Sequence, residues 1–207
     1  MTATRIASCR LYGFIDTAYL AGRQPGAVTQ ELIAGGVDVI QVRAKEMSHA
    51  QRVELARAVV KAAHDVPVIV NDDVAAARET GAAGVHLGQE DYAAVTRDQL
   101  TGLSIIGIST HTLAQARQAA RDGADYIGVG PVFATGTKPG VPPVGVELVR
   151  QYANEIKIPF FAIGGITMQT LDAVLATGAT RVAVVSAILN VQDVAAAAKA
   201  FKEKLTA

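Results

Sequence analysis

The sequence of 207 residues predicts an α/β fold, a single-domain (β/α)8 TIM barrel that spans residues 1–207. Eight short apolar runs rich in β-branched residues recur along the chain, and Ala-rich, helix-sized stretches separate most of them. Four junctions also repeat one pattern, in which a glycine ends a helix and a strand begins after a small residue. Repeated βα units are typical of a barrel, and a doubly wound open sheet is the alternative.

The eight apolar runs are the predicted strands, because each is too short for a helix of normal length. In chain order they are RLYGFI from Arg10, DVIQV from Asp38, VPVIV from Val66, AGVHL from Ala83, SIIGIS from Ser104, DYIGVG from Asp125, PFFAIG from Pro159 and RVAVVS from Arg181. Residues 1–9 precede the first run, and we expect them to form a peripheral N-terminal segment.

The predicted helices lie between these runs, and the stretch SHAQRVELARAVVKAAH is the clearest of them. Ser48 is its expected N-cap, and apolar side chains recur on one side of the helix. Those side chains are Val53, Leu55, Ala56, Val59 and Val60. The region QEDYAAVTRDQLTG, between the fourth and fifth strands, is the weakest helix, and the count of eight units depends on it.

Composition and charge limit the classes of function. Aromatic residues make up only 5% of the chain within a hydrophobic share of 50%, a composition typical of helices packed on buried parallel strands. Lys plus Arg and Asp plus Glu both total 19, so no overall field favours nucleic acid or an anionic membrane. The single Cys9 excludes an internal disulfide, and we expect neither a signal peptide nor a membrane-spanning segment. We therefore expect a cytoplasmic protein with small-molecule partners, and the sequence leaves a homo-oligomer open.

Polar residues follow the apolar runs at seven strand ends, the face at which barrel enzymes carry their chemistry. In chain order these residues are Gln41, Arg43 and Lys45; Asn71, Asp72 and Asp73; Gln89, Glu90 and Asp91; Ser109, Thr110 and His111; Thr135, Thr137 and Lys138; Gly164 and Gly165; and Ser186. We expect them to converge on one mouth of the barrel.

An anion site is predicted after the second strand. Gln41, Arg43 and Lys45 alternate, so they point the same way in an extended chain. Two cations and an amide on one face can bind a multiply charged anion, with arginine forming bidentate contacts. The alternative is a solvated strand end whose cations pair with nearby acids.

A Mg²⁺ site is predicted from Asp72 and Asp91, which lie at successive strand ends. Mg²⁺ prefers few carboxylates together with waters and substrate oxygens, so these two acids would serve it beside a pyrophosphate. Asp72 could instead be a helix N-cap, a role open to Asp73 as well, and Asp91 could be a plain loop acid.

A phosphate cradle is predicted after the seventh and eighth strands. Gly164-Gly165 and Val185-Ser186 are typical of the loops and short helix N-terminus that hold a monophosphate in such barrels. A tight turn is the alternative explanation of the glycine pair. The loop GPVFATGTKPG, residues 130–140, adds small donor-bearing residues around Lys138.

The four histidines do not form a predicted site. His49 and His64 are expected on a helix surface, His86 lies within a strand, and His111 is close to a helix start. His86 is therefore either a core residue or a ring that faces the barrel mouth. No His-Cys cluster suggests zinc and no Gly-x-Ser-x-Gly nucleophile elbow is present, so a covalent nucleophile has no support.

Seven motifs together resemble those of the thiamine phosphate synthases: QVRAK, NDD, GVHLGQED, GISTHT, GPVFATGTKPG, AIGGIT and VVSAI. The similarity runs from about Leu11 to the C-terminal helix. It implies a TIM barrel that joins a hydroxymethylpyrimidine pyrophosphate to a thiazole phosphate, with Mg²⁺ as cofactor and pyrophosphate as product. It also implies that the pyrimidine ionises first.

The resemblance assigns roles to the matching positions. It implies that the residues contacting the pyrimidine pyrophosphate are Gln41, Arg43, Lys45, Asn71, Ser109 and Lys138, that the metal ligands are Asp72 and Asp91, and that the thiazole phosphate site comprises Thr135, Gly136, Thr137, Gly165, Val185 and Ser186. Of these, the residues expected to act in catalysis are Arg43, Lys45, Ser109 and Lys138. Gly136 stands where the family often has proline, which predicts a more mobile loop.

Three other functions stay open. A thiazole tautomerase would use the same barrel and a histidine, for which His111 is available, but it would have no pyrophosphate to bind. Another phosphosugar barrel enzyme would share only the phosphate cradle. A binding protein for thiazole phosphate would lack catalysis altogether.

Overall fold

The computed structural model describes residues 3–137 and 140–206, and these residues form eight parallel strands in a closed barrel. Each strand pairs with its neighbour in sequence, and the eighth returns to the first, with Leu11 opposite Val182 and Tyr12 opposite Ala183. The predicted TIM barrel is confirmed, and this closure excludes the doubly wound open sheet.

The strands are short, and parallel pairing places all their carboxyl ends at one mouth. Their bounds are β1 Leu11–Asp16, β2 Val39–Arg43, β3 Val68–Asn71, β4 Gly84–Leu87, β5 Ile105–Thr110, β6 Tyr126–Val129, β7 Phe160–Ile163 and β8 Val182–Ala183. The last of them is only two residues long, so the run predicted from Arg181 is mostly not strand.

The helices follow the strands in sequence. Their bounds are α1 Pro25–Ala34, α2 His49–Ala63, α3 Val74–Thr80, α4 Gln89–Ala94, α5 Arg97–Leu100, α6 Leu113–Arg121, α7 Gly145–Glu155, α8 Leu171–Leu175, α9 Ser186–Leu189 and α10 Val194–Thr206. The weak region between β4 and β5 holds two short helices, α4 and α5. Before β1 lies a 3-10 helix, Ala3–Ser8, and Ile6 and Cys9 are buried against the core.

Local sequence signals explain where the helices begin and end. Ser48 caps α2 in a capping box with Gln51, as the sequence predicts. In each of the four predicted junctions one glycine has a positive φ, which only glycine adopts at little cost. These glycines are Gly36, Gly81, Gly123 and Gly178, with φ values of 84°, 68°, 86° and 92°.

Aromatic side chains fill part of the barrel interior. The Tyr12 ring packs on Phe14, Tyr126 and Phe161, with centroid separations between 5.2 and 5.8 Å. A Cβ atom at Gly107 would lie 2.1 Å from the Tyr126 ring, so the absence of a side chain there makes room for the tyrosine. None of the helices in the described residues is long and apolar enough to span a membrane.

Candidate active site

A pocket of about 890 Å³, open solvent included, lies at the carboxyl ends of the strands and receives side chains from all eight. Nine of the fourteen residues to which the family resemblance assigns a role line it. They are Gln41, Arg43, Asn71, Ser109, Thr135, Thr137, Gly165, Val185 and Ser186. The barrel therefore gathers residues that are up to 174 positions apart in sequence into one cavity, as Tyr12 and Ser186 show.

The other predicted residues lie beside this pocket or outside the described part of the chain. Lys45, Asp72 and Asp91 interact with one another next to the pocket, and we call them the rim cluster. Gly136 is exposed between two lining threonines. Lys138 lies outside the described residues.

The Arg43 guanidinium is held by an acid that the sequence motifs did not indicate. Arg43 Nη1 donates to Asp16 Oδ2 over 2.7 Å, and the two residues are register partners on β1 and β2. Asp16 is only 1% exposed, so its carboxylate is a fixed anchor for the arginine. Nη1 is committed to this bond, which leaves the remaining donors of the fork for another oxygen ligand.

The rim cluster combines one cation with two carboxylates. Lys45 Nζ lies 3.1 Å from Asp72 Oδ2, and the Asn71 amide also donates to that oxygen. Arg43, which ends β2, and Lys45, which follows it, therefore both pair with acids, as the solvated strand-end interpretation also predicts. Asp16 and Asp72, however, lie at the carboxyl ends of β1 and β3, beside Arg43 and Asn71, which line the pocket.

Asp91 interacts electrostatically with both other members of the rim cluster. Its pKa is raised by partial burial and next by the neighbouring charge of Asp72, while Lys45 acts in the opposite direction. Two carboxylates this close repel each other unless a positive charge lies between them. A Cβ atom at Gly88 would lie 2.7 Å from Asp91 Oδ2, so glycine gives this carboxylate its space.

This donor set fits Mg²⁺. Mg²⁺ prefers few protein carboxylates together with water and substrate oxygens, and a pair of carboxylates matches that preference. A dedicated zinc site uses three or four His, Cys, Asp or Glu ligands. The described residues contain no group of three or more such side chains that could hold a metal.

The structure also separates the roles of two adjacent aspartates. Asp73 Oδ1 accepts the Ala76 N–H at 2.9 Å and caps α3, so the interpretation of Asp72 as the N-cap is wrong. Asp72 instead adopts a left-handed conformation with φ of 63°, and its N–H donates to the His86 carbonyl. Because the cap role falls to Asp73, the Asp72 carboxylate is free to face Lys45.

The glycine pair after β7 packs against the loop that follows β6. Gly164 and Gly165 have φ values of 100° and 63°, and a Cβ atom on Gly165 would lie 2.6 Å from the Ala134 carbonyl oxygen. Phe133 N–H donates to the Gly164 carbonyl at 3.0 Å. The pair therefore forms a bend in the chain, and it packs closely against the β6 loop next to Thr135, which lines the pocket.

The β6 loop contacts the loop after β1 as well. Tyr19 Oη and Thr137 Oγ1 are 2.9 Å apart, and the Thr137 N–H donates to Thr135 Oγ1 at 3.2 Å. Arg23 fixes the β1 loop by donating to the carbonyls of Tyr19 and Leu189, the last residue of α9. The β1 loop is thus joined by hydrogen bonds to the β6 loop and to α9, both of which contribute residues to the pocket.

Comparisons with known proteins assign the family. The thiamine monophosphate synthase family model matches residues 11–188. The chain belongs to this family. It is 42% identical over 196 residues to a thiamine-phosphate synthase from Halalkalibacterium halodurans, an alignment that covers 93% of each chain. A relative with the same description from Chloroflexus aurantiacus is 42% identical over 203 residues, covering 96% of this chain and 94% of its own.

Solved structures agree with the thiamine monophosphate synthase family. A thiamine phosphate pyrophosphorylase from Pyrococcus furiosus superposes with a TM-score of 0.86 at 30% identity, and 97% of each chain is covered. A geranylgeranylglyceryl phosphate synthase from Thermoplasma acidophilum gives a TM-score of 0.74 at 16% identity, which shows a shared fold alone.

The histidines of this family member fall into distinct settings. His49 and His64 are exposed, as expected, and His49 contacts Asp73 and Glu79. His111 lines the pocket, where its Nδ1 atom hydrogen-bonds the Gly130 carbonyl.

His86 resolves the two alternatives by meeting both descriptions. It is buried, at 9% exposure, and its ring lines the floor of the pocket. Its Nδ1 atom lies 2.9 Å from Tyr126 Oη, and its Nε2 atom lies 2.9 Å from Ser109 Oγ. The strand pattern around His86 shows burial, but the residues that meet it come from β5 and β6, so no local signal indicates them.

Proposed function

We propose that this protein is a thiamine phosphate synthase, which joins 4-amino-2-methyl-5-(diphosphooxymethyl)pyrimidine to thiazole phosphate and releases pyrophosphate. The relatives that bear this name align over nearly the whole chain. The structural observation that carries the proposal is the rim cluster beside the pocket. A carboxylate pair next to cations serves a diphosphate with its divalent ion, whereas an enzyme that binds only a monophosphate needs no such pair.

The two substrates carry anions that suit opposite sides of the cavity. Arg43, Lys45 and Ser109 supply donors for the diphosphate of the pyrimidine substrate. Gly165 and Ser186 lie across the barrel, after β7 and β8, and supply a site for the thiazole phosphate, either the carboxythiazole or the hydroxyethylthiazole form. Holding both substrates at one mouth removes translational entropy from the barrier.

Mg²⁺ is the proposed cofactor, and Asp72 and Asp91 would hold it. When bound, it neutralises negative charge on the diphosphate oxygens. The remaining negative charge of the diphosphate would be neutralised by two cationic side chains of the protein. These are Arg43, which is anchored by Asp16, and Lys45, which is paired with Asp72.

The reaction forms a bond between the thiazole nitrogen and the pyrimidine CH₂ carbon and breaks the bond between that carbon and the bridging oxygen. The electron pair leaves with pyrophosphate, so negative charge grows on oxygens that Arg43, Lys45 and Ser109 can contact. Preorganised donors aimed at developing charge are the largest common source of catalysis. No protein nucleophile takes part, in agreement with the missing nucleophile elbow.

The test is a product assay with purified protein, both substrates and MgCl₂. We expect thiamine phosphate and pyrophosphate in equal amounts, and neither product when one substrate or the metal is omitted. Isomerisation of the thiazole without pyrophosphate release would assign the protein as a tautomerase. Binding of thiazole phosphate with no turnover at all would make it a binding protein, and either result overturns the proposal.

A further inference from the structure

A continuous chain of hydrogen bonds crosses the barrel interior through residues that line the pocket. It runs from Gln41 Nε2 to Tyr12 Oη at 3.0 Å, and from there to Tyr126 Oη at 2.9 Å. From Tyr126 it continues through the His86 ring to Ser109 Oγ in two further contacts of 2.9 Å. Five strands contribute one residue each, and all five residues line the pocket.

The direction of this chain follows from the requirement that buried donors find acceptors. Gln41 donates an N–H to the Tyr12 oxygen, and Tyr12 is 2% exposed. The only other polar group of the described residues that bonds this hydroxyl is Tyr126 Oη, so the Tyr12 proton must point there. The reverse arrangement would leave the Tyr12 proton buried without an acceptor, which is costly.

The same reasoning continues to the far end. Tyr126 receives the Tyr12 proton, so its own O–H donates to His86 Nδ1. His86 then carries its proton on Nε2 and donates it to Ser109 Oγ. The oxygen of Ser109 is occupied as an acceptor, and its proton is left to point into the pocket. Burial raises the pKa of both tyrosines well above the ordinary value, so both keep the protons that this arrangement needs.

We propose that Tyr12, Tyr126 and His86 are positioning residues that hold the Ser109 hydroxyl as a hydrogen-bond donor toward the pocket. The proposed function enters only in naming the recipient, which is an oxygen of the diphosphate. A phosphate oxygen accepts hydrogen bonds and cannot donate them. If the Ser109 proton were donated to His86, the serine could offer the phosphate only an acceptor, and no hydrogen bond would form. At the other end of the hydrogen-bond chain, Gln41 offers an acceptor instead of a donor, because its N–H is used by Tyr12 and its amide oxygen remains.

The direct test is the tautomer of His86, read from the ¹⁵N chemical shifts of its two ring nitrogens in labelled protein without ligands. A His86→Gln variant identifies its signals among those of the four histidines. We expect a proton on Nε2 and none on Nδ1. A proton on Nδ1, alone or together with one on Nε2, overturns the proposal. This readout does not require turnover, so it stands even if the proposed function fails.

A second test uses Tyr126→Phe, which keeps the ring and removes the link between Tyr12 and His86. We expect the His86 signals to show a mixture of tautomers and kcat/KM for the pyrimidine substrate to fall about threefold to tenfold, the range for one neutral hydrogen bond. In a Ser109→Ala background the same change should have no further effect. An equal loss in both backgrounds would mean that Tyr126 does not act through Ser109, and it would overturn the proposal.

Tyr152→Phe is the matched control. Tyr152 is also fully buried, and its hydroxyl lies 2.8 Å from the Thr112 carbonyl oxygen and 3.0 Å from Thr110 Oγ1, outside the hydrogen-bond chain. The Tyr152→Phe variant loses a buried hydroxyl of the same kind as Tyr126→Phe does. We therefore expect a lower melting temperature and an unchanged His86 tautomer. If it shifts the His86 signals as much as Tyr126→Phe does, the tautomer depends on general packing and the proposal is wrong.

Discussion

Asp16 Oδ2 and Arg43 Nη1 lie 2.7 Å apart at the ends of two adjacent strands, and the aspartate is almost fully buried. The arginine that faces the pocket is therefore not a free cation. Its orientation is set by a carboxylate that it can reach only because β1 and β2 are paired in this register.

Replacing Asp16 with asparagine should weaken diphosphate binding, because the Arg43 guanidinium loses the carboxylate that orients it. The change keeps the size of the side chain but removes the charge that fixes the guanidinium. A hydrogen bond to a charged group contributes about 1.5–3 kcal/mol, so we expect kcat/KM for the pyrimidine substrate to fall roughly tenfold to a hundredfold. Steady-state kinetics should place most of the loss in KM.

The control is Asp125→Asn. Asp125 accepts the Ile106 N–H at 2.7 Å at the amino-terminal end of the barrel, far from the mouth. The Asp125→Asn substitution should lower the free energy of unfolding without changing the KM for the pyrimidine substrate. Equal kinetics for wild type and Asp16→Asn would show that Arg43 does not depend on its partner.

Gly165→Ala should damage the site through the β6 loop. Its left-handed backbone costs an alanine about 1–2 kcal/mol, and the new Cβ would lie 2.6 Å from the Ala134 carbonyl oxygen. Displacement of that loop should raise the KM for thiazole phosphate by about tenfold or more. Gly81 has a similar φ of 68° but no atom within 4 Å of the added Cβ, so Gly81→Ala should cost stability alone. A normal KM in Gly165→Ala would contradict the assigned contact.

The pair of His49 and Asp73 should make stability depend on pH. The hydrogen bond to Asp73, and next that to Glu79, raises the pKa of His49 above its usual 6.5. The resulting stabilisation is fully present below pH 6.5 and is lost as pH rises through the higher folded-state pKa. Asp73→Asn keeps a side chain able to cap α3 but removes the main charged partner.

Urea denaturation at pH 6 and pH 9 measures this effect. The free energy of unfolding lost in Asp73→Asn should be larger at pH 6 than at pH 9. In a His49→Gln background the difference between the two pH values should shrink, whereas His64→Gln, at the other end of α2, should keep it. The same loss at both pH values would show that His49 contributes nothing.

The sequence predicts those parts of the fold that depend on neighbours along the chain. Ser48 and Gln51 are three residues apart, and the glycine at each αβ junction acts on its own backbone, so both signals are visible locally. The residues at the barrel mouth could be predicted because polar residues directly follow the apolar runs in the sequence. The shortness of β8 was not predicted, since Val184 and Val185 continue the apolar run after the strand pairing ends.

The side-chain partners of the site could not be predicted in the same way. Asp16 meets Arg43, Tyr19 meets Thr137, and His86 meets Tyr126 only after distant strands close into a barrel. The spacing of apolar residues along the sequence carries no information about these side-chain contacts between distant strands. The adjacent acids Asp72 and Asp73 were likewise equivalent candidates for the cap until the backbone conformation separated them.

The central claim is that the rim cluster binds a diphosphate together with Mg²⁺, and calorimetric titration of pyrophosphate tests it most directly. With wild-type protein we expect binding about tenfold tighter or more when Mg²⁺ is present, a difference of about 1.4 kcal/mol or more. Asp91→Asn should lose this gain, and Glu90→Gln, which removes the same charge from an exposed neighbour, should retain it. The account is contradicted if Mg²⁺ leaves the wild-type affinity unchanged, or if Asp91→Asn keeps the full gain.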